Sequence, residues 1–316
     1  MIVTLTANPS VDRTVSIPDL QRGEVHRATA ARIDPGGKGV NISRALTAHR
    51  ARTMAVLPAG GPQGHLLAEL LADAGIEVTI VPIDGSSRSN LALVEPDGTT
   101  TKINEPGPHL SSAELDALLA GAEATLAEKP SWLVGSGSLP PGVDVDLYAG
   151  LVRRCRDAGV RVAIDASGPP LRHAVAAGPD LIKPNLQELE ELVDRPLNTL
   201  GDVLSASVDL VTQGVATVVV SLGGAGALLV TPTVIAHAVA PVSAPLSTVG
   251  AGDALLAGYL YATGSGSTPV EALCAGVAWG AAAVSLPGSR MPNPANVAGI
   301  QVSLTTEPDL TISLKN

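Results

Sequence analysis

The stretch from Ser247 to Leu260 reads STVGAGDALLAGYL, a glycine-rich turn followed by a helical pattern. Gly250 and Gly252 allow backbone N–H groups to converge at the N-terminus of the predicted helix, and such a group of amides binds anions. Asp253 stands beside this site, where a carboxylate would repel a resting anion. We therefore interpret Asp253 as a base that accepts a hydroxyl proton while the amides stabilise a transferring phosphoryl group. The alternative is an aspartate that only caps the helix.

The sequence around this turn is poor in charge. Between Val211 and Ser289 the only charged side chains are those of Asp253 and Glu271. Glycine, proline, serine and threonine interrupt the stretch too often for a membrane-spanning helix, which needs about 20 mostly apolar residues. We expect short buried strands and closely packed helices, an environment in which an unpaired carboxylate is costly. This setting makes Asp253 the most conspicuous candidate for a functional residue.

Strand and helix patterns alternate along the rest of the chain. Predicted strands cover residues 2–6, 53–57, 77–81, 132–134, 160–164, 181–182, 217–221 and 227–230, and predicted helices cover residues 40–49, 63–74, 112–127, 145–158, 186–193 and 254–260. This alternation predicts an α/β fold in which helices cover both faces of a parallel sheet. Ligands of such folds bind beyond the carboxyl ends of the strands.

Two segments break the alternation. Residues 11–34 and 89–104 read as short strands without a helix, and Pro96-Asp97-Gly98 marks a turn in the second segment. We expect the two segments to form a small separate sheet. Because an open sheet edge invites pairing, this sheet is predicted to be either a lid over the site or a dimer surface.

The composition excludes some classes of protein. The chain of 316 residues carries 20 basic and 30 acidic side chains, a net charge of −10, and no phenylalanine. Nucleic-acid-binding proteins usually have a basic surface and stacking aromatic residues, so that class is excluded. Cys155 and Cys274 belong to no CxxC motif, which predicts reduced thiols in a cytoplasmic protein rather than a disulfide or zinc framework. Residues 1–7 read as a strand, with no secretion signal.

A second glycine-rich turn, from Asp34 to Asn41, reads DPGGKGVN. Its glycines would bring the backbone close to a ligand, and Lys38 supplies a positive charge. The motif is not a Walker A loop, because Gly39 stands where that motif requires Ser or Thr. The alternative is a tight turn before a helix, with Lys38 in solvent.

Residues 181–188 read LIKPNLQE and place Asn185 and Glu188 three positions apart at a helix start. Their oxygens suit Mg²⁺, which often retains water between itself and the protein. The alternative is a capping box, in which Asn185 caps the helix and Glu188 reaches back. The loop from Ser221 to Gly226 enters a second strand, so it does not fit a dinucleotide-binding turn, which opens a helix.

Three smaller features complete the candidates. Asp12 follows the first strand, where a carboxylate could bind sugar hydroxyls, and Arg88 could bind a pair of phosphate oxygens. Residues 137–142 form a proline-containing loop at the predicted ligand edge. The alternatives are a solvated turn residue, a surface arginine and an ordinary loop.

Together, in this order and at this spacing, the motifs resemble those of the PfkB branch of the ribokinase-like sugar kinases. The resemblance extends over nearly the whole chain, through residues 5–12, 35–41, 135–142, 183–188, 250–253 and 276–282. It implies a three-layer αβα ribokinase-like fold with a mainly parallel central sheet. It also implies a single kinase domain over residues 1–316, with a β-sheet lid formed by residues 11–34 and 89–104, in a cytoplasmic enzyme that forms a homodimer through the lid.

The resemblance further implies ATP-dependent transfer of a phosphoryl group to a sugar phosphate, with ATP and Mg²⁺ as cofactors. Asp253 corresponds to the family's general base, and the amides of Gly250, Ala251 and Gly252 correspond to its anion hole. The implied substrate-binding residues are Asp12, Gly37, Lys38, Asn41, Arg88, Lys102 and Ser138. The implied nucleotide-binding residues are Lys183, Asn185, Ser221, Gly223, Gly224, Gly226 and Gly252, and Asn185 and Glu188 would organise Mg²⁺ through water.

The resemblance also bears on the acceptor. Relatives that phosphorylate fructose 6-phosphate often have glycine where Lys38 stands and a basic lid residue near Glu24, which is acidic here. Both differences favour fructose 1-phosphate, phosphorylated at its 6-hydroxyl, over fructose 6-phosphate. Tagatose 6-phosphate and fructose 6-phosphate stay the alternative acceptors. The cations Lys38, Arg88 and Lys102 argue against an unphosphorylated acceptor. Because every motif position is occupied, including that of the base, a catalyst is favoured over a non-catalytic sugar-phosphate-binding regulator.

Overall fold

A computed structural model describes residues 1–243 and 245–315 of the chain and arranges their strands in a large sheet and a small one. The strands are β1 (Ile2–Thr6), β2 (Ser10–Ser16), β3 (Ala30–Gly36), β4 (Thr53–Ala59), β5 (Glu77–Pro82), β6 (Arg88–Val94), β7 (Thr100–Asn104), β8 (Trp132–Ser136), β9 (Val162–Asp165), β10 (Leu181–Ile182), β11 (Val218–Ser221), β12 (Ala227–Val230), β13 (Ile235–Val239) and β14 (Ser303–Thr305). The helices are α1 (Lys38–Ala48), α2 (Gly61–Asp73), α3 (Ser112–Leu126), α4 (Leu147–Ala158), α5 (Gly168–Ala176), α6 (Leu186–Val193), α7 (Leu200–Thr212), α8 (Ala251–Gly264), α9 (Pro269–Val284) and α10 (Pro294–Val297).

The large sheet is mainly parallel. Its strand order is β14-β13-β12-β11-β10-β9-β8-β1-β4-β5; the strands from β11 to β5 pair in parallel, and those from β11 to β14 pair antiparallel. Parallel neighbours need crossover connections, and the helices supply them. The carboxyl ends of β1, β8, β9 and β10 therefore lie at one edge of the sheet, where α/β folds bind their ligands.

Alternate residues of each strand pack against opposite helical layers. In β8, Leu133 lies in a core shared with α3 to α7, whereas Trp132 and Val134 lie in a core shared with α1, α8 and α9. Trp279 of α9 belongs to the second core and stacks on His49, with ring centroids 3.5 Å apart. Both tryptophans are 4% exposed. Helices on both faces of one sheet make three layers, which confirms the predicted αβα arrangement.

The small sheet is built from the two segments that interrupt the alternation, as predicted. Its order is β3-β2-β6-β7, with β2 parallel to β6 and the outer pairs antiparallel. The register places Asp12 opposite both Asp34 and Asn90, so these side chains share one face of the sheet. Residues 17–29, between β2 and β3, form neither helix nor strand.

Some elements differ from the prediction. Helix α1 begins at Lys38, two residues before the predicted start, because Gly37 with a φ of 112° serves as its N-cap. Helix α5 begins in Gly168-Pro-Pro, a composition common in turns, and its prolines occupy the first turn of the helix, where proline is tolerated. The elements α5, α7, α9, α10, β13 and β14 have no counterpart among the predicted ones.

The charge-poor stretch of the sequence forms strands and helices of the large layers, including α8 packed against α9. Within residues 1–243 and 245–315, no helix combines the length and the apolar character that crossing a membrane would need.

Candidate active site

Four elements bring charged side chains together at the carboxyl edge of the large sheet. Lys38 begins α1, Asp165 ends β9, Lys183 follows β10, and Glu188 lies in the first turn of α6. Lys38 Nζ donates to Asp165 Oδ1 at 2.8 Å and to Glu188 Oε1 at 3.0 Å. Lys183 Nζ lies 3.3 Å from Asp165 Oδ2. We call these four residues the charge cluster.

Asp253 lies next to the charge cluster, in the first turn of α8, and is 8% exposed. The helix begins at Ala251, and its N-cap is Gly250 in the left-handed conformation with a φ of 77°. The interpretation of Asp253 as the cap is therefore wrong. Asn41 Nδ2 of α1 donates a hydrogen bond of 2.8 Å to Asp253 Oδ2.

The pKa of Asp253 is raised to about 6, chiefly by burial and then by the negative charge of Asp165. Lys38, the hydrogen bond from Asn41, and Lys183 act in the opposite direction. A carboxylate with such a pKa is mostly ionised at neutral pH yet still takes up a proton readily. These are the properties of an effective general base.

Lys38 remains charged because carboxylates surround it. Burial alone would lower the pKa of Lys38, but Asp165 and Glu188 raise it well above its ordinary value. The structure therefore shows Lys38 paired rather than free in solvent. Lys183 is 3% exposed, and a Cβ placed on Gly252 would lie 3.3 Å from Lys183 Nζ. Lys183 thus faces the first turn of α8.

Asp165 is the member of this site that was not predicted from the sequence. It is 1% exposed at the end of β9. Burial would raise its pKa, but Lys183 and Lys38 more than offset this, and the pKa is lowered. The available signal was a carboxylate at the end of a short apolar strand, a position that falls at the ligand edge of a parallel sheet.

A cavity of about 330 Å³ lies under the small sheet and reaches Lys38 at the start of α1 and Val249, two residues before α8. Asp12 Oδ1 accepts hydrogen bonds from Ser10 Oγ at 2.6 Å and from Asn90 Nδ2 at 2.9 Å, which orient its carboxylate. The predicted acceptor-binding residues Asp12, Lys38 and Lys102 all line this cavity. Its other polar or charged lining residues include Arg13, Thr14, Asn90, Thr100, Asn104, Ser247 and Ser289.

Arg88 and Ser138 hold loops near the cavity. The Arg88 guanidinium donates to the carbonyl oxygen of Asn8 at 2.9 and 3.2 Å and to that of Glu105 at 3.0 Å. Ser138 Oγ accepts from Asn8 Nδ2 at 3.4 Å. Arg88 is thus engaged with the backbone in this structure, and its contact with a substrate phosphate stays a prediction.

Asn185 and Glu188 form the capping box of α6. The Glu188 N–H donates to Asn185 Oδ1 at 2.8 Å, and the Asn185 N–H donates to Glu188 Oε2 at 2.9 Å. Glu188 Oε1 also accepts from Lys38, so the oxygens of this pair are already engaged within the protein, and their role toward Mg²⁺ stays a prediction. Among the residues that the structure describes, no group of three or more His, Cys, Asp or Glu could hold a metal ion.

The loop after β11 lies beside Asn185, with which Ser221 forms an isolated parallel bridge. The loop makes a 3₁₀ turn at Gly223–Ala225 and then enters β12, so it opens no helix, as predicted. Gly226 has a φ of 83°, and a Cβ there would lie 2.0 Å from the carbonyl oxygen of Ala238. The predicted nucleotide-binding residues of this loop therefore adjoin the carboxyl end of β10.

The site combines a buried base at a helix N-terminus, lysines beside the base and a polar cavity. This combination is suited to the transfer of a phosphoryl group onto a hydroxyl. On three αβα layers with a small separate sheet, they define a phosphotransferase of the carbohydrate-kinase class. The pfkB family of carbohydrate kinases matches residues 5–296, and the chain belongs to that family. The family predicted from the motifs is confirmed.

Two relatives show the range of names within the family. The 1-phosphofructokinase of Rhodobacter capsulatus is 37% identical over 308 residues, 97% of this chain and 97% of its own length. The ATP-dependent 6-phosphofructokinase isozyme 2 of Mycobacterium tuberculosis is 37% identical over 299 residues, 92% of this chain and 86% of its own length.

Solved structures share the fold. Phosphofructokinase-2 from Escherichia coli, in complex with substrates and products, has a TM-score of 0.88 at 35% identity and covers 94% of this chain and 97% of its own. Ribokinase from Thermotoga maritima has a TM-score of 0.74 at 21% identity, covers 94% of this chain and 97% of its own, and shows the fold alone. The predicted ribokinase-like fold is confirmed.

Proposed function

We propose that this kinase transfers the γ-phosphoryl group of ATP to the 6-hydroxyl of fructose 1-phosphate, giving fructose 1,6-bisphosphate and ADP. The observation that carries the proposal is Asp253, a buried carboxylate with a pKa raised to about 6 at the glycine-rich start of α8. A strongly perturbed carboxylate in that position suits the role of general base.

The proposed reaction balances as follows. The 6-oxygen of the sugar bonds to the γ-phosphorus of ATP, its proton passes to Asp253, and the bond from the γ-phosphorus to the bridging oxygen breaks to release ADP. The amides of Gly250, Ala251 and Gly252 open α8 and would stabilise the charge that develops on the transferring group. Lys183 faces the same turn and adds positive charge there.

The cavity under the small sheet is the proposed acceptor site. Asp12 would bind sugar hydroxyls, because its carboxylate is oriented by two hydrogen bonds and lines the cavity. Lys102 is exposed on β7 and lines the same cavity, so its ammonium can meet a phosphate that enters from solvent. An ammonium has three donors, and Lys38 uses two of them on Asp165 and Glu188. Its third donor can serve the acceptor.

Fructose 1-phosphate is favoured by the similarity to the Rhodobacter 1-phosphofructokinase. It is also favoured by Glu24, an exposed acid near the place where relatives that phosphorylate fructose 6-phosphate often have a basic residue. Fructose 6-phosphate is the second candidate, because the Mycobacterium 6-phosphofructokinase is 37% identical as well. The two acceptors carry their phosphates at opposite ends of the sugar, so a direct comparison separates them. Tagatose 6-phosphate belongs in the same comparison.

We propose ATP with Mg²⁺ as the phosphoryl donor, bound on the side of Lys183, Asn185 and the loop Ser221–Gly226. Asn185 and Glu188 each accept a hydrogen bond within the capping box. Their oxygens would hold water molecules of a hydrated Mg²⁺, which commonly keeps several of its waters. The metal would be held mainly by the phosphates and would neutralise charge on the transferring group.

We also propose that residues 1–316 act as one cytoplasmic kinase domain that dimerises through the lid of residues 11–34 and 89–104. Strands β3 and β7 are the edges of the small sheet, and open edges tend to pair unless they are covered. Ile103 of β7 is 56% exposed and lies opposite Leu91 of β6. The free thiols of Cys155 and Cys274 suit a reducing compartment.

The test measures ADP release by the purified protein with fructose 1-phosphate, fructose 6-phosphate, tagatose 6-phosphate and free fructose. We expect the highest kcat/KM with fructose 1-phosphate and a product with NMR signals of the 1,6-bisphosphate. A higher kcat/KM with fructose 6-phosphate would favour the second candidate. Calorimetric binding of ATP and sugar phosphates without ADP release would indicate a non-catalytic regulator.

The variant Asp253→Asn tests the base. Asparagine keeps the size of the side chain but cannot take up the hydroxyl proton, so we expect kcat to fall by about 10²- to 10⁴-fold. The Kd of ATP, measured by calorimetry, should stay close to that of the wild type. Turnover near the wild-type rate would contradict the assignment.

A further inference from the structure

A buried chain of hydrogen bonds connects the small sheet to Asp253. Arg44 Nη1 of α1 donates to Asn41 Oδ1 at 3.0 Å, and Asn41 Nδ2 donates to Asp253 Oδ2 at 2.8 Å. Arg44 Nη2 also donates to Asp34 Oδ1 of β3 at 3.2 Å, and Nη1 donates to the carbonyl oxygen of Pro35 at 3.3 Å. The side chains of Arg44 and Asp34 are 10% and 7% exposed. Arg44 is thus a nearly buried cation one residue removed from the proposed base.

The orientation of the Asn41 side chain depends on Arg44. The oxygen and nitrogen of an amide have nearly the same shape, so packing alone does not choose between the two orientations. A guanidinium can only donate, and at 3.0 Å it requires the amide oxygen of Asn41 to face it. The amide nitrogen is then the end that faces Asp253. A turned amide would instead set its oxygen against the carboxylate.

We propose that Arg44 is a positioning residue, which holds the amide of Asn41 in the orientation that supports the ionised form of Asp253. The inference rests on the proposed role of Asp253 as general base. A hydrogen bond donated to the charged form of a carboxylate favours that form. Arg44 therefore holds the pKa of Asp253 lower than a turned amide would, so that Asp253 stays ionised, and able to accept a proton, at lower pH.

Other charges also face Asp253, and they stay in place in the experiment below. They are Lys38 from α1, Asp165 from the end of β9 and Lys183 from the segment after β10. Arg44 itself also adds positive charge near the site. A control is therefore needed that removes an arginine from the same network without touching Asn41.

The test compares the pH profile of kcat/KM for the full-length wild type and Arg44→Met, which keeps an apolar stem but has no donor. We expect the acidic limb to move upward by roughly half to one pH unit. Activity should recover toward the wild-type level on the alkaline side. The acceptor's phosphate also loses its second proton near pH 6, since the second pKa of a phosphate monoester is about 6. Its ionisation is common to every variant, so only the displacement between variants is interpreted.

Arg32→Met is the matched control. Arg32 Nη2 donates to Asp34 Oδ1 at 2.6 Å, and no hydrogen bond joins Arg32 to Asn41 among the described residues. We expect this variant to leave the acidic limb in place. An equal displacement in both variants would assign the effect to loss of charge. A uniform loss of kcat/KM at every pH in Arg44→Met would assign Arg44 a structural role only, and either result would overturn the proposal.

A second pair of variants covers the risk that Arg44→Met unfolds because Asp34 loses a partner. In Asp34→Asn/Arg44→Met neither member of the ion pair leaves a buried charge behind. This double variant should show the upward displacement, whereas Asp34→Asn, which retains Arg44, should show little. The reverse order would overturn the proposal.

The same profiles separate this inference from the proposed function. A wild-type profile without an acidic limb, or Asp253→Asn with near-normal turnover, would contradict the assignment of the base itself. If the wild type has an acidic limb and Arg44→Met shows that limb at the same pH, only the role of Arg44 is contradicted.

Discussion

Asp253 is held in the folded chain in a setting that favours its neutral form, with a pKa raised from 3.8 to about 6. The protonated Asp253 therefore contributes fully to the free energy of unfolding below its pKa in the unfolded chain. This contribution is lost as pH rises through its pKa in the folded chain. A shift of two units corresponds to about 3 kcal/mol at roughly 1.4 kcal/mol per unit. The proposed base thus destabilises the fold at the pH where it would work.

Asp253→Asn should remove this cost. We expect the variant to gain stability relative to the wild type as pH rises from 4 to 7, by up to about 3 kcal/mol. Urea unfolding of both proteins at several pH values measures the difference, in which the other titrating groups cancel. A difference that does not change with pH would show that Asp253 ionises normally.

Asp165 has the opposite effect on stability. Its lowered pKa means that its contribution is present above the unfolded pKa and is lost as pH falls through the folded one. Asp165→Asn leaves Lys38 and Lys183 without their shared carboxylate, and removing one partner of a buried pair costs about 3 kcal/mol or more. We expect that loss in urea unfolding at pH 7. Glu128→Gln, at an exposed pair with Arg52, is the control and should leave the stability nearly unchanged.

The residues of the site were predictable to different degrees. Asp253 stands out because the surrounding sequence lacks charge, and Lys38 because glycines flank it. Asp165 could not be distinguished from a solvated turn residue, since its partner Lys38 is 127 positions away in the chain. Arg88 shows a further limit: its backbone acceptor Asn8 is also remote in sequence, so no local pattern indicates that the guanidinium is engaged.

At the scale of elements, the packing of α1 on β1 and β8 depends on Gly39. A Cβ at this position would lie 2.4 Å from Thr6 Oγ1 and 2.7 Å from Ser136 Oγ, both on buried strands. Such distances require the start of α1, with Lys38, to move.

Gly39→Ala should therefore impair both stability and catalysis. We expect a loss of about 1–3 kcal/mol in urea unfolding, as for an overpacked core, together with a lower kcat/KM. The control is Gly121→Ala in α3, where the new Cβ meets Val56 Cγ1 at an ordinary 3.5 Å. Because alanine favours helix, the control should gain up to about 1 kcal/mol. Equal effects of the two substitutions would contradict the role given to Gly39.

The order of elements was largely predictable, because β1 is a short apolar strand and α6 has an apolar period and a capping box. The start of α5 was not, since Gly168-Pro-Pro has the composition of a turn and only packing makes it helical. Pairing of strands was also beyond the sequence: β1 lies between β8 and β4, and neither is adjacent to it in the chain.

At the scale of the whole molecule, the proposed dimer is tested by its mass in solution. Ile103→Asp places a charge on the exposed apolar face of β7 and should convert a dimer to a monomer in light scattering after size exclusion. Val208→Asp on α7, at a site 41% exposed and outside the small sheet, is the control and should leave the mass unchanged. A wild-type protein that is monomeric at all concentrations would contradict the proposal.

The positions of Trp132 and Trp279 determine what the protein's own fluorescence can report. Both indoles lie in the core between the large sheet and α1, α8 and α9, and strands β2, β3, β6 and β7 contain no tryptophan or tyrosine. Intrinsic emission will therefore follow global unfolding closely and respond little to movement of the small sheet. An optical measurement of that movement needs an introduced indole, for which Thr100 on the exposed rim of the cavity is a suitable position.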